Sequence, residues 1–549
     1  MKKYSVLLIL IICSQFVNAQ TFQWQGAIGG NYIDIPNSIW VGSDGCTYIT
    51  GNYSSKKLNF GSQVIANNLN SSPANFFIIK IDITGNVVFA RDANITADAY
   101  GVDIRTDSSQ NIYSLILNNN PYFLKIENDT FLSGQSGACV LLVKYNSNGD
   151  FLWGKPFSNN QTYNTLGAGI DIIDDNNIIS CSSDIVYLSN STGNVTSTTF
   201  NLKICDFDST GNIKWTKSLI NIPELLKVQT DRNGNINLLC KKYIDSVIVD
   251  SQYIACDSLD FFLIRFNKNG DFLEYIPFLS YDNFENISFT IDNKDNIYFT
   301  GSFSSNTFSA FNLPTQYKIN QNSYSKDIFI VKTNYHGSGK WINSAQSYSQ
   351  KELYKLAADS LGNIYGLGCQ YQDTGLYYNN VFYPASPGNF NFLIKLDTSG
   401  NLLDYIPATN YSSLFYSFRV SAPNEIYITS QIPSGSNGLF GSTTFNSYGA
   451  SDIWFGKFTY NTGVNQKEQS DLNISIYPNP SSDFVNFMID RNIKFQKILI
   501  TDLFGKIVKP SSKINISSNR INISELAKGM YFINVSTDKG SKTFKFIKI

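Results

Sequence analysis

One histidine, His336, stands in 549 residues, so imidazole-based acid, base or triad chemistry has a single place to run. It lies beside Gly337 in a polar stretch, the setting of a solvated turn residue. Carboxylates are more numerous, and two of them across a groove are enough to hydrolyse a glycosidic bond. Yet Asp82, Asp208, Asp292, Asp359 and Asp397 fall in short Asn-, Ser- and Gly-rich phrases where Asp caps the backbone of a turn. Asp206 and Asp208 open like a loop around a hard cation, but no third ligand follows and Lys217 occupies the place of a bidentate Glu. The stretch 171–177 reads equally as a polar turn. No C-x-x-C pair suggests zinc. These residues therefore predict no catalytic residue, no metal and no cofactor, and leave the binding residues unassigned.

Cysteine and tyrosine offer two further possibilities. Cys46, Cys139, Cys181, Cys205, Cys240, Cys256 and Cys369 follow the first twenty residues, an odd number that cannot all pair. Cys181 with Cys205 is the one pairing the strand pattern brings onto neighbouring strands; the other reading is buried thiols. Tyr371, Tyr377, Tyr378 and Tyr383 offer rings for stacking on sugars or packing at an interface, or are ordinary strand and loop aromatics.

The elements that must position these side chains come from an internal repeat. A phrase of the form Asp-x-x-Gly-Asn-Ile-Tyr recurs seven times, for example over 107–113, 292–298 and 359–365. A second phrase, an apolar run ending in Lys and a Gly turn, also recurs seven times, as in 76–85, 140–149 and 328–337. Four residues after the turn Gly stands an aromatic in four copies, Phe89, Trp153, Trp215 and Trp341. An upstream Trp24 keeps the same spacing with no repeat before it, while the last copy lacks this strand. Periodicity of this length, built of short strands and Gly turns, predicts an all-β fold: a seven-bladed β-propeller of four-stranded blades, with residues 21–28 supplying the outer strand of blade seven. No helical period competes.

Composition is consistent with that architecture. Aromatics make up 14% of the chain, suiting large faces packed between sheets. Charged residues are 15% and the net charge is −1, which gives no field to draw nucleic acid or anionic lipid. Lys2 and Lys3, the apolar stretch 6–12 and Val17-Asn18-Ala19 read as a signal peptide over 1–19, cleaved between Ala19 and Gln20. Later residues contain no apolar stretch long enough to predict a transmembrane helix. The propeller is expected over 20–463, a polar linker over 464–472, and a small immunoglobulin-like sandwich of alternating strands over 473–549.

Within that last segment stand Tyr477-Pro478-Asn479-Pro480, then Asp502-Leu503-Phe504-Gly505-Lys506, then Gly529-Met530-Tyr531-Phe532, then a basic-apolar end over 545–549. In this order they resemble the C-terminal sorting domain of bacterial type IX secretion. The resemblance implies recognition by the outer-membrane translocon and release from the cell or attachment to its surface. The repeats resemble the bacterial β-propeller repeat called SBBP, which implies the fold and brings no residue roles. Two functions follow as expectations: an extracellular binding or adhesion module for glycan or protein, and, as the alternative, a secreted hydrolase or lyase using carboxylate and Tyr residues in the channel.

Overall fold

The computed structural model describes residues 21–459 and 474–549 apart from short internal segments, among them 132–138, 160–166, 408–414, 502–506 and 510–519. The signal segment with Ala19 and Gln20, the linker 464–472, and Gly505 and Lys506 lie outside the described residues. Among the described residues the regular elements are all β-strands. The chain separates into two compact units, Met1–Asn461 and Thr462–Ile549.

In the first unit, antiparallel pairing gives successive sets of four strands. Set one is Asp34–Val41, Thr47–Tyr53, Asn75–Ile81 and Val87–Asp92. Set two is Ala99–Thr106, Ile112–Asn118, Cys139–Tyr145 and Phe151–Asn159. Set three is Gly167–Asp174, Asn177–Ser189, Val195–Phe207 and Ile213–Ile220. Set four is Glu224–Thr230, Ile236–Lys241, Phe261–Phe266 and Phe272–Pro277. Set five is Phe284–Ile291, Ile297–Phe303, Asp327–Thr333 and Gly339–Gln346. Set six is Lys351–Ala358, Ile364–Tyr378, Val381–Leu396 and Leu402–Pro407. Set seven is Phe415–Ala422, Glu425–Pro433 and Ser451–Thr459, and its fourth strand is Thr21–Ile28, paired antiparallel with Ser451–Thr459.

The repeated phrases are explained by their hydrogen bonds. Asp292 accepts backbone N–H bonds from Lys294 and Asn296 at 2.8 and 2.9 Å, and the Asn296 amide and the Tyr298 hydroxyl donate to its second oxygen at 2.8 and 3.0 Å. Asp359 does the same with Leu361, Asn363 and Tyr365. One carboxylate thus needs Asn four residues on and Tyr six residues on, which is the spacing of the first phrase. In the second phrase, Lys80, Lys144 and Lys332 each cross to a backbone carbonyl in the turn of the following set, at Ser147, Ser209 and Thr398. The spaced aromatic lies on the following set's turn Gly: a Cβ at Gly149 would meet Phe89, at Gly211 Trp153, at Gly270 Trp215 and at Gly400 Trp341. Trp24, in set seven, packs in the same way on Gly85 of set one.

Apolar clusters join successive sets. Phe76 and Ile78 of set one pack with Leu141 and Val143 of set two, and Val140 and Leu142 of set two with Cys205 and Phe207 of set three. Sets three and four meet at Ile204 and Ile264, four and five at Leu263 and Phe329, five and six at Ile330 and Ile394, six and seven at Leu393 and Ile428. A further cluster unites Ile453 and Phe455 of set seven with Ile49 and Ile79 of set one. The middle strands are covered on both faces, so they read as near-continuous apolar runs rather than alternating ones. Between the second and third strands the repeats carry insertions. They form short hairpins such as Lys57–Phe60 with Gln63–Ala66, and in sets three and six they lengthen the strands themselves.

The second unit has a three-stranded sheet, Ile474–Tyr477, Phe484–Ile489 and Arg520–Asn522. Its four-stranded sheet is Ile507–Lys509, Phe495–Thr501, Gly529–Thr537 and Gly540–Lys548. Val485 and Phe487 from one sheet and Ile498, Ile533 and Phe546 from the other share one core. The exposed Tyr477-Pro478-Asn479-Pro480 stretch is tied down by Asn479, whose side chain donates to the Lys545 carbonyl at 2.8 Å and accepts from the Ile547 N–H at 2.9 Å. Tyr531 stacks on Phe546 and donates to the Ala527 carbonyl at 2.8 Å.

Candidate functional site

The first strands of all seven sets line one cavity of about 330 Å³. Register fixes which side chains reach it. The residues opposite Tyr48, Tyr113, Ile179, Asn237, Tyr298, Tyr365 and Tyr427, the last position of the Asp-to-Tyr phrase, are Trp40, Arg105, Asp171, Gln229, Thr290, Ala357 and Arg419. Two residues earlier stand Ser38, Asp103, Gly169, Lys227, Ser288, Lys355 and Ser417. In six of the first strands a register shift directly precedes this second position, as between Gly101 and Asp103, Leu225 and Lys227, and Leu353 and Lys355. A bulge re-aims the side chain that follows it.

Four cations, Arg105, Lys227, Lys355 and Arg419, meet two carboxylates, Asp103 and Asp171, in these layers. Arg105 takes both acids, at 2.6 Å to Asp103 and 3.3 Å to Asp171. Asp103 also accepts from the Ser38 hydroxyl at 2.7 Å and the Ile170 N–H at 3.3 Å, and Asp171 from the Thr230 N–H and hydroxyl at 2.7 and 2.9 Å. Burial works against the Arg105 charge, but its two acids outweigh it and hold the guanidinium above its usual basicity. Trp40 lies between two guanidiniums, with Arg419 at 3.8 Å from the ring centre and Arg105 at 4.7 Å. Lys227 donates to the carbonyls of Phe289 and Leu356 at 2.6 and 3.5 Å. Burial, then the neighbouring Arg419, Arg105 and Lys355, push its pKa down to about 7. Burial likewise pushes Lys355 down to about 8 and, with Arg105 adding, Arg419 to about 10.

Of the residues singled out from sequence, Asp171, expected in a polar turn, sits on the strand Gly167–Asp174 and pairs with Arg105; the others lie elsewhere. His336 is an exposed turn residue whose ring nitrogen meets Glu274 at 3.0 Å. Asp82, Asp208 and Asp397 cap turns through the backbone N–H groups two and four residues on. Asp206 is buried and pairs with Lys214 at 3.5 Å, while Asp208 serves its own turn. Among the described residues no group of three His, Cys, Asp or Glu is disposed around a common point. The Cys181–Cys205 pairing is corrected: Cys181 opposes Ile204 and Cys205 opposes Ser180, so a register offset of one puts the two thiols on opposite faces. Both are free, as are the other described cysteines. Tyr378 is an ordinary strand aromatic, buried and donating to the Gly400 carbonyl at 2.8 Å, and Tyr383 packs against the same core. Apart from Asp171, no residue of the cluster was picked out from sequence, although a signal was present: one position per repeat changes from Trp to Arg, Asp, Gln, Thr, Ala and Arg.

No curated protein matches the chain. Among solved structures, the polysaccharide lyase Uly1 is similar over 79% of this chain and 92% of its own, at 7% identity and a TM-score of 0.39. An intramolecular trans-sialidase from Ruminococcus gnavus is similar over 79% and 95%, at 10% identity and 0.31. Drosophila Plexin A in complex with Semaphorin 1b is similar over 80% and 88%, at 7% identity and 0.35. Likenesses this distant carry no argument about activity. Residues 475–549 match the family model of the secretion system C-terminal sorting domain, so this chain is a cargo of type IX secretion, released outside the cell or attached to its surface.

Proposed function

We propose that the first unit is a closed seven-bladed β-propeller serving as a non-enzymatic extracellular or cell-surface binding or adhesion module. Each set of four strands is one blade, and Thr21–Ile28 locks blade seven. The cluster between sets seven and one, and the cavity lined by all seven first strands, support the ring. Residues 1–19 are its signal peptide, cut between Ala19 and Gln20, 20–463 the propeller, 464–472 a linker, and 473–549 an immunoglobulin-like sorting domain handed to the outer-membrane translocon. The repeats are of the SBBP type.

The observation that carries the binding reading is the fate of the cavity acids. Glycoside hydrolysis needs one carboxyl free to give a proton and another to attack or activate water. Asp103 and Asp171 are both bound to Arg105 and held further by Ser38, Ile170 and Thr230. The test pairs a glycan array on the exported chain with turnover assays on the same polysaccharides. Retention without product is expected. Product formation abolished by Asp103→Asn, by Asp171→Asn, or by Tyr354→Phe at a tyrosine that lines the cavity would replace binding with the hydrolase or lyase reading.

A further inference from the structure

We propose that the central cavity is an oxyanion site, taking the carboxylate or sulfate of an acidic sugar, or a free inorganic oxyanion, on Arg419 with Lys355 and Lys227 beside it. The inference rests on the reading of the first unit as a binding ring.

A cation in a confined protein site ordinarily has a carboxylate to offset its lost hydration. Arg105 has two; Arg419 has none. The Arg419 guanidinium lies on the Trp40 ring and makes no hydrogen bond or ion pair with any described residue, so its planar fork of donors is left to whatever fills the cavity. Lys227 has carbonyl partners only. The Gln229 side chain adds a buried amide oxygen without a partner; turned over, that amide presents a donor to the same space. Ser288, Thr290 and Ser417 add hydroxyls to the wall.

The charged groups lining the cavity come from four of its seven strands, Asp103 and Arg105, Lys227, Lys355, and Arg419, with Asp171 paired to Arg105. The strands Asp34–Val41 and Phe284–Ile291 line it with no charged side chain. Arg105 is matched by its two acids, whereas the Arg419 guanidinium brings to the same wall a positive charge that no described carboxylate pairs. A fully ionised oxyanion relieves it, and a neutral or cationic ligand does not. About 330 Å³ accommodates one sugar ring with its acidic group.

The test is calorimetric titration of the exported full chain with sulfate, glucuronate and, as the neutral counterpart, glucose, at low ionic strength. Sulfate and glucuronate are expected to bind and glucose is not. Arg419→Gln and Lys355→Gln should each weaken anion binding about tenfold or more, with circular dichroism of each variant confirming that the fold is kept. Tighter binding of glucuronate assigns the site to acidic sugars; tighter binding of sulfate assigns it to the inorganic ion. Absence of binding by either anion, or affinities that the two substitutions leave unchanged, overturns the proposal. Glycan retention that persists in both variants then leaves the binding module standing without this site, whereas product formation would remove the reading beneath it.

Discussion

Trp24 and Gly85 provide a double-mutant cycle across the seam between set seven and set one. Trp24 lies in the strand Thr21–Ile28, paired with Ser451–Thr459, and its indole N–H donates to the Ile83 carbonyl at 3.0 Å. Gly85 turns at φ +92, and a Cβ there would stand 2.8 Å from the Trp24 side chain. Gly85→Ala therefore carries two costs: about 1–2 kcal/mol for an L-residue at positive φ, and about 1–3 kcal/mol for the clash with the indole. Trp24→Ala removes a partly buried ring and its hydrogen bond, about 2–4 kcal/mol. In the double variant the clash has no partner, so destabilisation should fall short of the sum by about 1–3 kcal/mol. Scanning calorimetry of the exported chain reads all four proteins. Gly85→Ala with Trp153→Ala, which belongs to a different seam, supplies the control and should add within about 0.5 kcal/mol. Additivity in the Trp24 pair would show that the amino-terminal strand does not press on set one, and the account of the seam would fail.

Asp34 is fully buried, and burial, with Asp452 adding, pushes its pKa up to about 7. Because the folded value lies above the unfolded one of about 3.9, its stabilising share is complete below about pH 4 and is lost as pH rises through 7. Asp34→Asn should flatten that slope and, at pH 8, gain on the order of 2–4 kcal/mol in urea unfolding. At the turns, Asp292→Ala strips the Tyr298 hydroxyl and two backbone N–H groups of their acceptor and should cost about 2–4 kcal/mol. Asp82→Ala, at an exposed turn, should cost about 1 kcal/mol in the same melts. Deleting 475–549 should hold the chain in the periplasm, checked by immunoblots of periplasm and medium; undiminished export would separate the tail from secretion.

The repeat was legible because one hydrogen-bonded turn needs Asp, Asn and Tyr at fixed offsets, and the next turn needs Lys and an aromatic to rest on Gly. The pairing of Thr21–Ile28 with the last set could be read because Trp24 keeps the spacing of Trp153 and Trp215 without a repeat of its own. The inserted hairpins, such as Lys57–Phe60 with Gln63–Ala66, escaped notice because they vary from set to set. The cavity residues escaped for a related reason. Arg105, Lys227 and Arg419 stand far apart in the sequence and come to line one cavity only when seven strands meet around it. Cys181 and Cys205 misled because period-two alternation names a face only once register is known.

A crystal structure of the exported chain soaked in selenate, with anomalous differences measured at the selenium edge, tests the joined claim of ring and anion site most directly. The account predicts seven sheets about one axis and a selenium peak within hydrogen-bond reach of the Arg419 guanidinium. Fewer than seven sheets, or a cavity without selenium while the ion binds elsewhere, would contradict it.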